Sequence, residues 1–169
     1  MPVTVESATH RLAASVQVLK ALAAGVDDAQ ARWKPGPERW SILEVVNHLL
    51  DEEREDFRHR FRNLLEHPDE PVDPIDPPRW AIDRRYNERE LGPSLEAFLS
   101  ERRASLSWLA TLISPDLEAA SPSGRTAGEL LAAWVAHDLL HVRQITKLHY
   151  DYWGREVQPL RLDYAGEWR

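Results

Sequence analysis

Residues 126–149 read TAGELLAAWVAHDLLHVRQITKLH, and this stretch is the strongest indication of the fold class. Its apolar residues recur every three or four positions, as they do on the buried face of an amphipathic helix. At its start, Thr126 and Glu129 have the spacing of a capping box, in which each side chain binds the backbone N–H of the other residue. The pattern predicts a long helix that runs to about His149.

Three further segments have helical spacing, and no segment shows the alternation that is typical of a strand. The first segment runs from about Thr4 to Gly25. The second begins with another capping box, formed by Ser41 and Glu44, and ends near Leu65. Both segments are long enough to cross a small domain as complete helices.

A proline-rich segment separates the second helix from the third, with prolines at positions 68, 71, 74, 77 and 78. Proline lacks an N–H and restricts φ, so we predict a long crossover loop that continues through residues 84–87. The third helix begins at Gly92-Pro93, with proline at the first helical position, and ends before Ser114-Pro115. Residues 1–169 are therefore predicted to form a single all-α domain, a four-helix bundle with one long crossover.

The composition of the 169-residue chain excludes several functional classes. It contains no cysteine, which excludes disulfides, thiolate metal ligands and cysteine nucleophiles. A net charge of −7 disfavours binding to nucleic acid, and no run of about 18 apolar residues is present to span a membrane. The first residues lack the features of a secretory signal. We expect a cytoplasmic protein with a small-molecule partner.

Two features lie outside the four helices. The arginine-rich stretch, with Arg79, Arg84, Arg85 and Arg89, is expected to be a solvated part of the loop. The chain has seven tryptophans, and its last twenty residues are rich in aromatic side chains. Such a tail is expected to pack on the bundle or on a second subunit, so a homodimer is predicted.

The histidine pair is the clearest candidate site. His137 and His141 are four residues apart, so they lie one turn apart on the same face of the last helix. That face also carries apolar residues, namely Leu130, Trp134, Ile145 and Leu148. A buried imidazole needs either a hydrogen-bond partner or a metal ion. The pattern leaves both interpretations open: two core histidines, or two ligands of one metal.

His48 lies away from the apolar stripe of the second helix, which is typical of a solvated side chain. Glu52 follows four residues later on the same face, where it can orient the imidazole, act as a base or remain in solvent. Beside the histidine pair, Asp138 is favoured over Gln144 as the outer partner of a ligand. The other histidines are assigned surface or capping roles; they are His10, His59, His67 and His149.

Two stretches resemble the signature of the DinB-like (YfiT-like) superfamily: WSILEVVNHL at residues 40–49 and AHDLLHVRQI at residues 136–145. The resemblance covers nearly the whole chain and places both motifs in the expected helices. It implies a divalent-metal site formed by His48, His137 and His141. Arg143 stands where many relatives have glycine, which leaves the ligands intact but changes the groove beside them.

The resemblance also implies a class of chemistry. Some members of the family are S-transferases that use bacillithiol or mycothiol, one is a mycothiol-dependent isomerase, and others have no established activity. We expect zinc or nickel, an open position for water or a low-molecular-weight thiol, and Glu52 as a proton acceptor. The leading hypothesis is a metal-dependent S-transferase or hydrolase. The alternatives are a non-catalytic bundle that binds metal or a small ligand, such as one used in a stress response, and a purely structural bundle.

Overall fold

The computed structural model describes residues 3–72, 74–166 and 168. The described part of the chain is helical, and its only bridge pairing is an isolated one between Ala120 and Thr126. Seven α-helices are present: α1 (Val5–Ala23), α2 (Asp28–Arg32), α3 (Ile42–Asp51), α4 (Arg58–Glu66), α5 (Pro77–Asp83), α6 (Leu91–Leu109) and α7 (Ala127–Glu156). Three shorter turns complete the chain: a π-helical turn at Glu52–Phe57 and 3₁₀ turns at Tyr86–Glu88 and Asp163–Ala165.

The four long segments pack side by side, and this confirms the predicted bundle. α3 packs mainly on α6, whereas α7 packs mainly on α1. The core consists of two clusters, one around Phe61 and Trp134 and the other around Phe98 and Ile145. α3 and α7 contact each other less extensively than each contacts its main partner, and we call the region between these two helices the groove. No helix in the described residues is both long enough and apolar enough to cross a membrane.

Both predicted capping boxes are present. The Ser41 hydroxyl accepts from the Glu44 N–H at 3.1 Å, and the Glu44 carboxylate accepts from the Ser41 N–H at 2.8 Å. Thr126 and Glu129 form the same pair of bonds at 3.1 and 3.0 Å. These bonds satisfy backbone donors that the first helical turn leaves free, so both helices begin where the sequence predicts.

The second predicted helix is not a single α-helix. The π-helical turn Glu52–Phe57 separates α3 from α4, about one turn after His48. Such turns accommodate an extra residue and change the direction of the side chains that follow. The last helix also differs from the prediction, since it continues seven residues beyond His149 to Glu156.

The crossover was predicted to be a loop throughout, and this is wrong for α5. Pro77 and Pro78 occupy its first turn, where proline removes no helical hydrogen bond. Asp76 caps the helix by accepting from the Arg79 N–H at 3.1 Å. Arg84 is not solvated as expected, because its guanidinium binds the Glu55 carboxylate at 2.8 and 2.9 Å.

Segments that precede and follow α3 in the chain cover its outer side. α2, α5 and the turn at Tyr86–Glu88 all pack against this helix, and all ten of its residues are buried. The fully buried Tyr86 donates its hydroxyl to Asp51 at the end of α3. The sequence predicted that one side of this helix faces solvent, but no side of α3 does.

The aromatic tail behaves in part as expected. The ring of Trp168 lies 5.4 Å from that of Tyr150 on α7, whereas Tyr164 is fully exposed. The predicted homodimer remains a prediction, since a single chain is described.

Candidate metal centre

Three imidazoles from two helices converge in the groove between α3 and α7. The Nε2 atom of His48 lies 3.1 Å from that of His137 and 3.0 Å from that of His141. The two histidines of α7 are 3.1 Å apart through the same atoms. The helical spacing brings His137 and His141 together, and the packing of α3 on the bundle brings His48 to them.

The triangle of nitrogen atoms has the dimensions of a metal site. Metal–nitrogen bonds of about 2.1 Å with angles of about 90–110° place ligand atoms roughly 3.0–3.4 Å apart. The three Nε2 atoms meet that requirement, and they form the one cluster of metal-ligating groups within the described residues. Without a cation or a shared proton, lone pairs at this separation would repel one another.

The surroundings keep the imidazoles neutral, as metal ligands must be. Burial, and then the charges of the other two histidines, lowers the pKa of His48 to about 2. Burial likewise lowers the pKa of His137 to about 3, and it lowers the pKa of His141. At neutral pH, protons therefore compete little with a metal ion for these nitrogen atoms.

Gln144 orients one of the three candidate ligands, His141. Its side-chain oxygen lies 2.8 Å from Nδ1 of His141, so Nδ1 donates a proton and Nε2 keeps a free lone pair. The sequence favoured Asp138 for such a role, and this is wrong. The Asp138 carboxylate points into the core, where it accepts from Ser15 and from Arg102 at 2.6 and 2.9 Å. The sequence could have indicated this role of Gln144, because a spacing of three residues places His141 and Gln144 on one helical face.

His48 and Glu52 are both buried, with 4% of each residue exposed, so the solvated interpretation is wrong for both. The Glu52 Oε1 atom lies 3.8 Å from Nδ1 of His48, and neither atom has a hydrogen-bond partner. Burial, and then the nearby charge of Asp56, raises the pKa of Glu52. Glu52 therefore lies on the side of the imidazole opposite Nε2.

Aromatic rings flank the three histidines on both sides. The Trp40 ring lies 4.7 Å from that of His48, and the Phe57 ring lies 4.9 Å from that of His137. A cavity of about 550 Å³ adjoins Phe57, and another of about 370 Å³ adjoins Trp40. None of the three histidines lines either cavity, so Phe57 and Trp40 stand between the histidines and spaces large enough for small molecules.

The remaining histidines take the roles that the sequence assigned. His10, His59 and His67 are exposed. His149 is partly buried, and its Nε2 binds the Leu22 carbonyl at 2.7 Å near the end of α1. None of the four belongs to the cluster in the groove.

Comparison with solved structures supports the same architecture. The protein is similar to YfiT from Bacillus subtilis, described as "a probable metal-dependent hydrolase with an unusual four-helix bundle topology". The TM-score is 0.77 at 20% sequence identity, over 88% of this chain and 87% of that one. At this identity the similarity establishes the YfiT-like bundle fold. No curated protein matches the sequence.

The sequence itself identifies the family. The profile of the DinB superfamily matches residues 11–145, which include His48 on α3 and the histidine pair on α7. The match thus covers most of the bundle and all three members of the candidate metal centre. The chain belongs to the DinB superfamily.

Proposed function

We propose that this protein is a metal-dependent enzyme whose site is formed by His48, His137 and His141. The observation that carries the proposal is the convergence of three Nε2 atoms to within 3.0–3.1 Å of one another. Imidazole nitrogen suits zinc and nickel, and three protein ligands leave a coordination position open. A divalent ion held there would lower the pKa of a bound water or thiol, which makes either one a better nucleophile.

The protein's own residues hold the site and control access to it. Gln144 sets the tautomer of His141, and Trp40 covers one face of the groove beside His48. Phe57 packs on the ring of His137, with the ring centroids 4.9 Å apart. Rigid placement of the ligands on two helices suits catalysis, because it reduces the reorganisation needed during the reaction.

Of the two reactions that fit this site, we favour transfer of a small thiol to an electrophile. The chain has no cysteine, so the thiol would be a co-substrate of the bacillithiol or mycothiol type. Its sulfur would bond to the electrophilic carbon as the leaving group departs with the bonding electrons. Hydrolysis is the second candidate, because YfiT is described as a probable metal-dependent hydrolase.

For Glu52, the geometry favours a positioning role over that of a proton acceptor. Its carboxylate approaches Nδ1 of His48, and a nucleophile would lie beyond Nε2 on the far side of the ring. A carboxyl group in this place can hold the imidazole in the orientation that directs Nε2 into the groove. We therefore propose that Glu52 acts through His48.

Metal analysis tests the site directly. Protein stripped with a chelator and reloaded with zinc or nickel should hold about one equivalent, as three convergent imidazoles predict. Replacement of His48, His137 or His141 with alanine should abolish uptake, whereas His59→Ala should not. Uptake below about a tenth of an equivalent in the parent protein would exclude the metal site.

Turnover distinguishes an enzyme from a binding protein. The zinc-loaded and nickel-loaded forms would be incubated with bacillithiol or mycothiol and the electrophile monobromobimane, and with p-nitrophenyl esters for hydrolysis. An enzyme should give product formation that is lost in His48→Ala. Stoichiometric metal without turnover in any combination would favour the non-catalytic alternative.

A further inference from the structure

The smaller cavity, of about 370 Å³, lies between the segment before α3 and the C-terminal half of α7. We call it the arginine pocket; the lining residues that matter here are Arg39, Trp40, Arg143, Gln144, Lys147 and Trp168. Three of the six are cationic and two are tryptophans. Among the lining residues that the structure describes, Asp151 is the one carboxylate.

The residues that the structure describes neutralise only part of the positive charge of the arginine pocket. Lys147 pairs with Asp151 at 2.5 Å. Neither Arg39 nor Arg143 forms an ion pair with a carboxylate in the described part of the chain. Since the protein has a net charge of −7, two arginines at one pocket that form no ion pair within the described residues are a local exception to its overall charge. Such a cluster favours an anionic ligand.

The larger cavity differs in this respect. Among its described lining residues the charges are balanced, with the carboxylates of Asp56 and Glu70 and the guanidinium groups of Arg60 and Arg125. Asp56 pairs directly with Arg60, and much of the remaining wall is apolar. We therefore expect anions to bind in the smaller cavity beside Trp40 and not in the larger cavity beside Phe57.

Two residues join the arginine pocket to the candidate metal centre. Gln144 lines the pocket and also binds Nδ1 of His141 at 2.8 Å. Trp40 lines it and packs on the ring of His48 at 4.7 Å. A molecule in this pocket would therefore be separated from the ligand imidazoles by a single layer of side chains.

We propose that the arginine pocket binds a carboxylate or phosphate group of the small molecule that reacts at the three histidines. This inference rests on the proposed function, because it assigns an anionic substrate class to the same site. The guanidinium groups of Arg39 and Arg143 can each donate two parallel hydrogen bonds to such a group. The tryptophan rings can cover the adjoining part of the ligand.

The test is a ligand titration of the metal-free protein. Binding is monitored through the indole N–H signals of the tryptophans in a nitrogen–proton NMR spectrum. Sodium succinate and inorganic phosphate serve as the two probes, at constant ionic strength. A saturable shift of the Trp40 and Trp168 signals is expected, while those of Trp108 and Trp134 in the bundle core stay in place. The probe with the higher affinity identifies the group as carboxylate or phosphate.

Variants establish which charge is responsible. Arg143→Gln should weaken binding of the preferred probe by about tenfold, the value of one lost charged hydrogen-bonding group. Arg143→Lys should retain part of the affinity, and Arg103→Gln on α6 is the matched control that should change nothing. Absence of a saturable shift for both probes would overturn the inference, as would equal weakening by Arg103→Gln. Because no metal is present, failure here is distinct from failure of metal uptake.

Discussion

The guanidinium group of Arg102 donates to both carboxylate oxygens of Asp138, at 2.6 and 2.9 Å, in the centre of the bundle. The same group donates to Glu53 at 2.8 Å, and each of the three residues is about 1% exposed. Glu53 lies five residues after His48, and Asp138 directly follows His137. Arg102 on α6 thus connects the two segments of chain that carry the candidate metal ligands.

Removal of this cation should destabilise the protein strongly. Arg102→Met would leave two carboxylates buried without their partner, at an expected cost of about 3–5 kcal/mol in the free energy of unfolding. Urea unfolding monitored by circular dichroism measures the change. Arg103→Met, at the exposed neighbouring position, should change it by less than about 0.5 kcal/mol. A similar small effect for both variants would show that the buried pairs contribute little.

Gln144 should control metal affinity without being a ligand. Gln144→Leu removes the acceptor for Nδ1 of His141, and outer partners of this kind typically contribute about 10–100-fold in affinity. Competition with a chromogenic chelator measures the zinc dissociation constant. Gln144→Glu should preserve affinity, since a carboxylate also accepts the proton, and Gln17→Leu on α1 is the control. Unchanged affinity in Gln144→Leu would contradict the assigned role.

Metal should stabilise the folded protein, because the unfolded chain does not hold three imidazoles together. Zinc at about 100 times its dissociation constant should add about 2.7 kcal/mol, or roughly 5–10 °C in melting temperature. Differential scanning calorimetry before and after chelation measures the shift. His141→Ala should melt at the same temperature with and without zinc, and a full shift in that variant would place the ion elsewhere.

The metal-free protein should lose stability in mild acid. The pKa of His48 is lowered to about 2 and that of His137 to about 3, whereas in an unfolded chain both lie near 6.5. Between these values the unfolded state binds more protons. The free energy of unfolding therefore falls as the pH drops below about 6.5, by up to about 1.4 kcal/mol per pH unit for each histidine.

Urea unfolding at about pH 7.5 and about pH 5.5 measures this dependence, with chelator present throughout. Other groups also titrate in this range, so the comparison of interest is between the parent protein and His48→Asn. The variant should show a shallower dependence on pH. Identical slopes would mean that His48 is not held neutral in the folded state.

Much of the fold was predictable because its signals are local. A capping box spans four residues, and amphipathic periodicity spans one helix, so the four main helices and both boxes could be recognised in the sequence. The pairing of His137 with His141 was predictable for the same reason, since helical geometry alone brings them together.

The place of His48 could not be predicted from periodicity. Its helix appeared to have a solvent-exposed side, but α2, α5 and the turn at Tyr86–Glu88 cover that side. Periodicity within one helix contains no information about segments that pack on it from elsewhere in the chain. The family resemblance assigned His48 to the site, and the tertiary contacts explain how it lies there.

The sequence by itself determined the four main helical segments, two of their N-terminal caps and the pairing of two candidate ligands, since each depends on residues that are neighbours along the chain. Tertiary structure alone decided how His48 reaches the other two histidines, the Arg102 network and the two cavities. These features join residues that are tens of positions apart, such as Arg102 and Glu53, which are separated by 49 positions. Only packing of the complete bundle brings such residues into contact, because burial and charge pairing act through space and not along the chain.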